Sequence, residues 1–249
     1  MNWLKRVLGG SGGQETASTP SSAPDGTPVP VPGVVKTSGP AGAVHTGGSA
    51  AVVPEPVPAP ARAGAPVLQR ESGTGARTVK LDTGTRPLIL TITHEGPGHF
   101  VVDLLDGRLR AGSQAVYTTG PFVARALANA DDRPVRAVRV TADGPWTIEV
   151  TGIEDALAVT ERAERPASDV LRYEGGPALA TLRYAGSPRH PDGGYFLTDT
   201  FAPDGSGFLD DLANDNGPWE GEVPLPGPCL LYARADGPWT ITIRPFEAA

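Results

Sequence analysis

The chain has 249 residues, a formal net charge of −7, and an unusual content of 32 glycines and 27 prolines. An acidic folded part repels phosphate backbones, so the charge argues against nucleic acid as a partner. No run of 18 apolar residues offers a membrane-spanning helix. The single cysteine, Cys229, rules out an intrachain disulfide and a cysteine-based zinc site, and its apolar neighbours predict a buried, structural thiol.

Residues 1–10 differ in composition from the segment that follows them. Trp3, Leu4, Val7 and Leu8 fall on one face of a helical projection, with basic residues off that face. So short a helix forms only against a partner groove or a membrane surface, because nucleation is costly. The segment has no apolar core of secretory length, which predicts a cytoplasmic protein that docks on a protein assembly or on a membrane periphery. The alternative is the ordinary disordered start of a linker.

Residues 11–76 are rich in glycine, proline and alanine. Trp3 is the one aromatic residue among residues 1–77, so this part of the chain lacks the large apolar groups that offset ordering entropy. The composition therefore predicts a disordered tether with extended polyproline stretches.

The strongest signal is an internal duplication. Ala142–Ile148 (ADGPWTI) recurs without change as Ala235–Ile241, and weaker matches extend outward from both copies. The copies are predicted to span residues 77–152 and 168–249, and the second one carries an insertion, Pro188–Gly193.

Each copy shows the pattern of a β-protein. Short alternating segments are separated by turns rich in Gly, Pro and Asp, which predicts two tandem antiparallel β-sandwiches in an all-β fold. Trp146 and Trp239 are expected to anchor the two cores. Between the copies, residues 153–167 contain good helix formers and predict a linker with a short helix.

Two motifs carry a resemblance. The run Leu212–Gly221 (LANDNGPWEG), followed by Ala235–Ile241, resembles β-sandwich modules of actinobacterial and related bacterial proteins, which have an Asn-x-x-Gly-Pro-aromatic turn and a closing Gly-Pro-Trp strand. The layout is similar to jelly-roll accessory domains such as the pre-peptidase C-terminal type. The resemblance covers both copies, although Tyr117-Thr118-Thr119 replaces the Asn-containing turn in the first. It implies a fold, and neither an activity nor catalytic residues.

Two groups of residues are candidate metal ligands. Asp210, Asp211 and Asp215, with neighbouring asparagines, have the oxygen chemistry that calcium prefers, but their spacing does not fit a calcium loop and Asx turns explain it better. His94 and His99 flank a turn and would need a third ligand. The second copy has tyrosines there, which favours a role in packing.

The sequence therefore predicts a non-catalytic binding or assembly protein without a cofactor. The alternative is a ligand-binding accessory module of the carbohydrate-binding type. Its expected ligand face is formed by the aromatic residues Tyr195, Phe208 and Trp219. Neither the partner, the ligand nor the oligomeric state follows from the sequence.

Overall fold

The computed structural model describes residues 64–190 and 192–246. The chain divides into a unit of residues 1–57, which lies outside the described residues, and a compact unit of residues 58–249. No helix in the described residues is long and apolar enough to cross a membrane. The strands are β1 Gln69–Thr74, β2 Arg77–Lys80, β3 Leu88–His94, β4 His99–Leu105, β5 Ala111–Thr119, β6 Phe122–Ala128, β7 Ala137–Ala142, β8 Pro145–Gly152, β9 Leu157–Val159, β10 Arg162–Arg165, β11 Asp169–Tyr173, β12 Ala178–Tyr184, β13 Tyr195–Phe201, β14 Phe208–Asn216, β15 Trp219–Leu225, β16 Cys229–Ala235 and β17 Trp239–Pro245.

The strands form two β-sandwiches with the same strand order. The first consists of the sheets β1-β8-β3-β6 and β2-β7-β4-β5. The second consists of β10-β17-β12-β15 and β14-β13-β16-β11, the latter extended by β9. Neighbouring strands are antiparallel except for β9 and β11, which are parallel. The all-β fold of two antiparallel sandwiches predicted from the sequence is thus confirmed.

Strand alternation places one apolar row of each sheet in a core. In β8, Trp146, Ile148 and Val150 are buried while the residues between them are partly exposed. The same alternation in β17 buries Trp239 and Ile241. Both tryptophans are almost fully buried, as predicted. The Nε1–H of Trp146 donates to the carbonyl of Gly75, and the Nε1–H of Trp239 donates to the carbonyl of Ala167.

The repeated Asp-Gly-Pro-Trp segment joins the end of one sheet to the other. Asp143 Oδ2 accepts a hydrogen bond from the backbone N–H of His99, and Asp236 Oδ1 accepts the corresponding one from Tyr195, at 3.1 and 3.3 Å. Each aspartate therefore caps the first residue of β4 or β13. The identical aspartates have a structural role in both sandwiches.

The glycine of the motif allows a close approach of two turns. A Cβ at Gly144 would lie 2.5 Å from the Cα of Gly96, and a Cβ at Gly237 would lie 2.5 Å from the carbonyl oxygen of Gly186. Gly144 also has a φ of 141°, which L-residues rarely adopt. Larger residues at either position would separate the turns that close each sandwich.

The predicted helical linker at residues 153–167 is wrong. A 3-10 helix covers only Ile153–Asp155, and two strands, β9 and β10, follow it. β10 pairs with β17 as β1 pairs with β8, so ladder hydrogen bonds override the local helix propensity. The second sandwich consequently begins near residue 157 rather than at residue 168.

The predicted boundary at residue 77 is also wrong. β1 lies before it and pairs with β8, and the carbonyl of Gly75 accepts the hydrogen bond of the Trp146 indole at 3.0 Å. The residues of β1 are polar or glycine, so its sequence does not indicate a strand. It forms a strand because it adds an edge to the sheet. The rest of the predicted tether, residues 11–63, lies outside the described residues.

The two tryptophans should contribute strongly to stability. We expect Trp146→Ala and Trp239→Ala each to lower the free energy of unfolding by about 3–5 kcal/mol, because each removes a large buried aromatic group and a hydrogen bond. Urea unfolding followed by circular dichroism measures the loss. Trp146→Phe and Trp239→Phe, which keep most of the ring, serve as controls and should lose clearly less. Wild-type stability of either alanine variant would contradict the assigned cores.

Candidate functional site

The inserted loop Pro188–Gly193 of the second sandwich borders an open cavity of about 560 Å³. This loop, of which Pro191 lies outside the described residues, follows β12 and packs beside the Asp236 turn. The cavity is lined by loop and turn residues that include Ser187, Pro188, His190, Asp192, Pro218 and Pro238. These residues all belong to the second sandwich, and the first sandwich has no corresponding insertion.

The inserted loop covers an aspartate that is exposed in the other sandwich. Asp143 is exposed, whereas its counterpart Asp236 is fully buried. The Tyr184 hydroxyl donates to Asp236 Oδ1 at 2.6 Å, and His190 Nε2 lies 3.0 Å from Asp236 Oδ2 without the alignment of a hydrogen bond. A buried carboxylate needs such donors, because leaving water is costly for a charge. The loop thus adds His190 to the hydrogen-bonded pair of Tyr184 and Asp236, and we call these three residues the loop cluster.

The loop cluster perturbs two phenols. Burial raises the pKa of Tyr184 well above its usual value, and the hydrogen bond to Asp236 raises it further. Burial also raises the pKa of Tyr195, and the charges of nearby groups contribute less. Both phenols are therefore neutral at physiological pH, and the Tyr184 hydroxyl acts as a hydrogen-bond donor.

The inserted loop also contacts the first sandwich. The Arg189 guanidinium lies 5.6 Å from the centroid of the Phe122 ring and donates to the carbonyl of Pro121 at 3.2 Å. The His190 ring stacks on Tyr117 with a centroid distance of 5.8 Å. Tyr117 in turn meets His99 edge to face at 5.2 Å. The loop therefore bridges the sandwiches at one end of their contact.

Ser187 lies close to this histidine and aspartate but does not resemble an activated nucleophile. Its hydroxyl donates to the carbonyl of Asp236 at 3.2 Å and accepts the backbone N–H of Arg189 at 3.2 Å. Nucleophilic catalysis requires the hydroxyl to be bonded to the base. The Ser187 hydroxyl is therefore bonded to backbone groups, and Asp192 is exposed at the edge of the cavity.

A buried ion network also joins the two sandwiches. Arg125 of β6 donates to Asp155 Oδ2 at 2.7 Å and to Asp169 Oδ1 at 3.1 Å. Arg165 Nε lies 3.0 Å from the other oxygen of Asp169. Only 13% of the Arg125 side chain is exposed, so removing one partner would leave a buried charge without compensation and would cost more than breaking a surface pair. Sequence reasoning missed it, although an arginine within the apolar strand β6 was a signal.

Apolar contacts surround this network. Val170 of β11, Phe201 of β13, and Leu230 and Tyr232 of β16 belong to the same buried cluster as the core of the first sandwich. Inward-facing residues of β16 such as Leu231 belong instead to the second core. Strand β16 is therefore buried on both faces, and the two sandwiches share one continuous apolar contact.

The structure separates the residues expected to form one ligand face. Tyr195 begins β13, and Phe208 pairs with Phe201 at the far end of that strand, roughly 20 Å away at the usual rise per residue. Trp219 is only partly exposed and packs on Phe196 with a centroid distance of 6.0 Å. A common ligand face of these three residues is therefore ruled out by their positions.

The candidate metal ligands are also dispersed. Asp210, Asp211 and Asp215 lie on strand β14 rather than in a loop. Asp210 and Asp215 each accept the backbone N–H of the following residue, and partial burial raises the pKa of Asp211 while Arg234 opposes the shift. Within residues 64–190 and 192–246, no three His, Cys, Asp or Glu side chains are grouped for a metal ion.

The two histidines of the first sandwich have separate environments. His94 is buried, stacks on Phe100 with a centroid distance of 4.4 Å, and its Nδ1 lies 2.9 Å from the carbonyl oxygen of Gly120. His99 is exposed at the start of β4. Tyr184 stacks on Phe196 in the corresponding place of the second sandwich, at 5.1 Å. The first position therefore holds a core aromatic ring in both sandwiches.

The remaining predicted sites have simple outcomes. Cys229 is fully buried in β16, and burial raises the pKa of its thiol to about 11, so its thiolate is scarce at neutral pH. The docking residues predicted at the N-terminus, Trp3, Leu4, Val7 and Leu8, lie outside the described residues.

No family model and no curated protein matches the chain. One similar solved structure is the regulatory subunit of a cAMP-independent protein kinase A from Trypanosoma cruzi bound to guanosine, with 10% identity, 70% of this chain and 71% of that chain covered, and a TM-score of 0.22. Another is the N-terminal CBM22-1–CBM22-2 tandem domain of Xyn10C from Paenibacillus barcinonensis, with 8% identity, 64% and 78% covered, and a TM-score of 0.23. Scores this low carry no functional argument.

Proposed function

We propose that this is a non-catalytic binding or assembly protein. Its two tandem sandwiches act as one rigid body, and its N-terminal segment attaches that body to a larger assembly or to a membrane surface. The observation that carries the proposal is the shared apolar contact, in which Phe201, Leu230 and Tyr232 of the second sandwich join the core of the first. A rigid pair presents its loops in a fixed arrangement, which reduces the ordering cost of binding.

The attachment through residues 1–10 rests on their sequence. Trp3, Leu4, Val7 and Leu8 supply a small apolar face, and Lys5 and Arg6 add attraction to an acidic partner or an anionic lipid. Affinity is modest because ordering the segment offsets part of the apolar gain. A tether between this peptide and the sandwiches would raise their local concentration at the attachment site.

Sedimentation of the full chain tests the attachment. We expect Trp3→Ala with Leu4→Ala to lower the fraction that pellets with cell envelopes or with anionic phosphatidylglycerol vesicles, because the apolar face is lost. The circular dichroism of the sandwiches should not change. Val34→Ala with Val35→Ala, in the same N-terminal region, is the matched control and should pellet like wild type. Equal pelleting of the Trp3/Leu4 variant would show that residues 1–10 do not anchor the protein.

A second candidate function is binding of a small polar ligand, such as a carbohydrate. The cavity at the inserted loop favours this function. Prolines and His190 line the cavity, and Asp192 offers a carboxylate that can accept hydrogen bonds from hydroxyl groups. We expect soluble oligosaccharides to shift the amide resonances of Ser187, His190 and Asp192 in NMR titrations. Asp192→Ala should weaken that binding, and Asp204→Ala, an aspartate in a different turn, should not. Unchanged spectra at millimolar sugar would exclude this function for the cavity.

A further inference from the structure

The turn between β4 and β5 holds a leucine in a strained conformation. Among the described residues, four residues other than glycine have a left-handed backbone, namely Leu109, Asn129, Asp131 and Asp132. Asn and Asp tolerate this region because their short polar side chains bond locally. A leucine with a φ of 58° has no such compensation and is an outlier.

The second sandwich shows what this position ordinarily requires. In the first sandwich, the N–H of Leu109 donates to the carbonyl of Asp106 at 2.9 Å. In the second, the N–H of Gly205 donates to the carbonyl of Ala202 at 2.7 Å, and Gly205 has a φ of 76°. Leu109 and Gly205 therefore occupy corresponding positions in the two turns. Glycine adopts this conformation without steric cost, whereas leucine does not.

Leu109 is held in this conformation with its side chain in solvent. Asp106 Oδ1 accepts the backbone N–H groups of Arg108 and Arg110, at 2.8 and 3.0 Å, which fixes the turn. The Leu109 residue is 53% exposed and lies between those two arginines. Backbone strain that gains no burial points to function. We call Asp106–Arg110 the Leu109 tip.

A second exposed apolar feature lies at the start of β14. Phe208 and Leu209 are 47% and 45% exposed, and the exposed carboxylates of Asp210 and Asp211 follow them. An edge-to-face contact with Phe201, at a centroid distance of 5.9 Å, fixes the Phe208 ring. We call Phe208–Asp211 the acidic edge.

The Leu109 tip and the acidic edge flank one loop of the first sandwich. Asp131 of the β6–β7 loop accepts the backbone N–H of Phe208 with its Oδ1 at 3.3 Å. Farther along the same loop, the N–H of Arg136 donates to the carbonyl of Leu105, at the base of the tip, at 2.8 Å. Both features therefore lie beside the β6–β7 loop, and we treat them together as one candidate surface. Arg110 of the tip pairs with Asp106 at 2.9 Å, so Arg108 supplies the positive charge of the tip, and Asp210 and Asp211 supply the negative charge of the edge.

We propose that this surface binds a second copy of the chain in a two-fold symmetric dimer. In such a dimer the Leu109 tip of each copy packs on the acidic edge of the other. Leu109 meets Phe208 and Leu209, and Arg108 faces Asp210. A two-fold interface needs both complementary parts on the same chain, and this surface has both. The strained leucine then gains in the dimer the burial that it lacks in the single chain.

Sedimentation velocity of the full chain, between about 1 and 100 µM, tests the proposal. We expect a concentration-dependent monomer–dimer equilibrium for the wild type. Leu109→Gly should raise the dissociation constant by about tenfold or more, because the Leu109 side chain is lost from both symmetric contacts. At a protein concentration well below the dissociation constant of the wild-type dimer, where loss of the dimer does not affect stability, its Tm should equal that of the wild type or rise, because glycine relieves the strain. A wild-type monomer throughout, an open-ended polymer, or a variant that dimerises normally would each overturn the proposal. So would a marked fall in the Tm of the variant.

Charge reversal tests the pairing directly. Arg108→Glu and Asp210→Arg should each weaken the dimer, and the two changes combined in one chain should restore it, because the opposed charges exchange signs. Val123→Ala alters an equally exposed apolar residue at the other end of the first sandwich and should leave the dimer unchanged. A combined variant as weak as the single ones would overturn the assigned contact.

The dimer is independent of the proposed attachment through residues 1–10. A chain that lacks those residues should therefore dimerise like the wild type, even if it fails to pellet with envelopes or vesicles. Loss of the dimer in that truncated chain would assign self-association to the N-terminal peptide and contradict the surface proposed above.

Discussion

The burial of strand β16 on both faces is the constraint on which the arrangement of this molecule depends. One face of β16 contributes Leu231 to the second core, and the other contributes Leu230 and Tyr232 to the first. The second sandwich therefore contributes to the core of the first as well as to its own. At roughly 25 cal/mol for each Å² of apolar surface removed from water, such a contact favours joint folding of the two sandwiches. The Arg125 network adds geometric specificity, because charged groups tolerate burial only when their partners are aligned.

The two sandwiches differ in surface chemistry at positions that correspond in register. Arg139 of β7 corresponds in register to Tyr232 of β16, so an outward charge in one copy is an apolar contact in the other. In the reverse sense, Arg125 of β6 corresponds to Glu222 of β15, and only the arginine is buried at the contact. The inserted loop then buries Asp236, which remains an exposed cap as Asp143 in the first sandwich. Function is therefore best sought where the copies differ.

The sequence was sufficient to predict the regular part of the fold. Strict alternation and the repeated Asp-Gly-Pro-Trp segment predicted strands, turns and buried Trp146 and Trp239, because these features depend on local geometry and on burial of one face. It was insufficient for β1 and β10, whose polar, edge-strand sequences form strands only through their ladder partners. The only sequence signal of the contact between the sandwiches is the unbroken apolar run around Cys229 at the start of β16, which by itself predicts no more than a buried segment.

The candidate site was less predictable for a related reason. Phe208 and Tyr195 are both aromatic and close in sequence, but an extended strand places them at opposite ends of the second sandwich. The loop cluster combines Asp236 with Tyr184 and His190, which both lie more than 40 positions before it. The strain at Leu109 depends on a backbone angle that sequence patterns do not reveal. Which polar residues lie together in space therefore cannot be predicted without the register of the strands.

Differential scanning calorimetry of the full chain most directly tests whether the two sandwiches are one cooperative body. We expect a single unfolding transition for the wild type. Arg125→Met should lower the Tm of that whole transition, because Asp155 and Asp169 lose a buried partner at a cost of roughly 3 kcal/mol. Glu222→Met, at the corresponding exposed position of the second sandwich, should leave the transition in place. Two separate transitions in the wild type, with Arg125→Met shifting neither, would contradict the account.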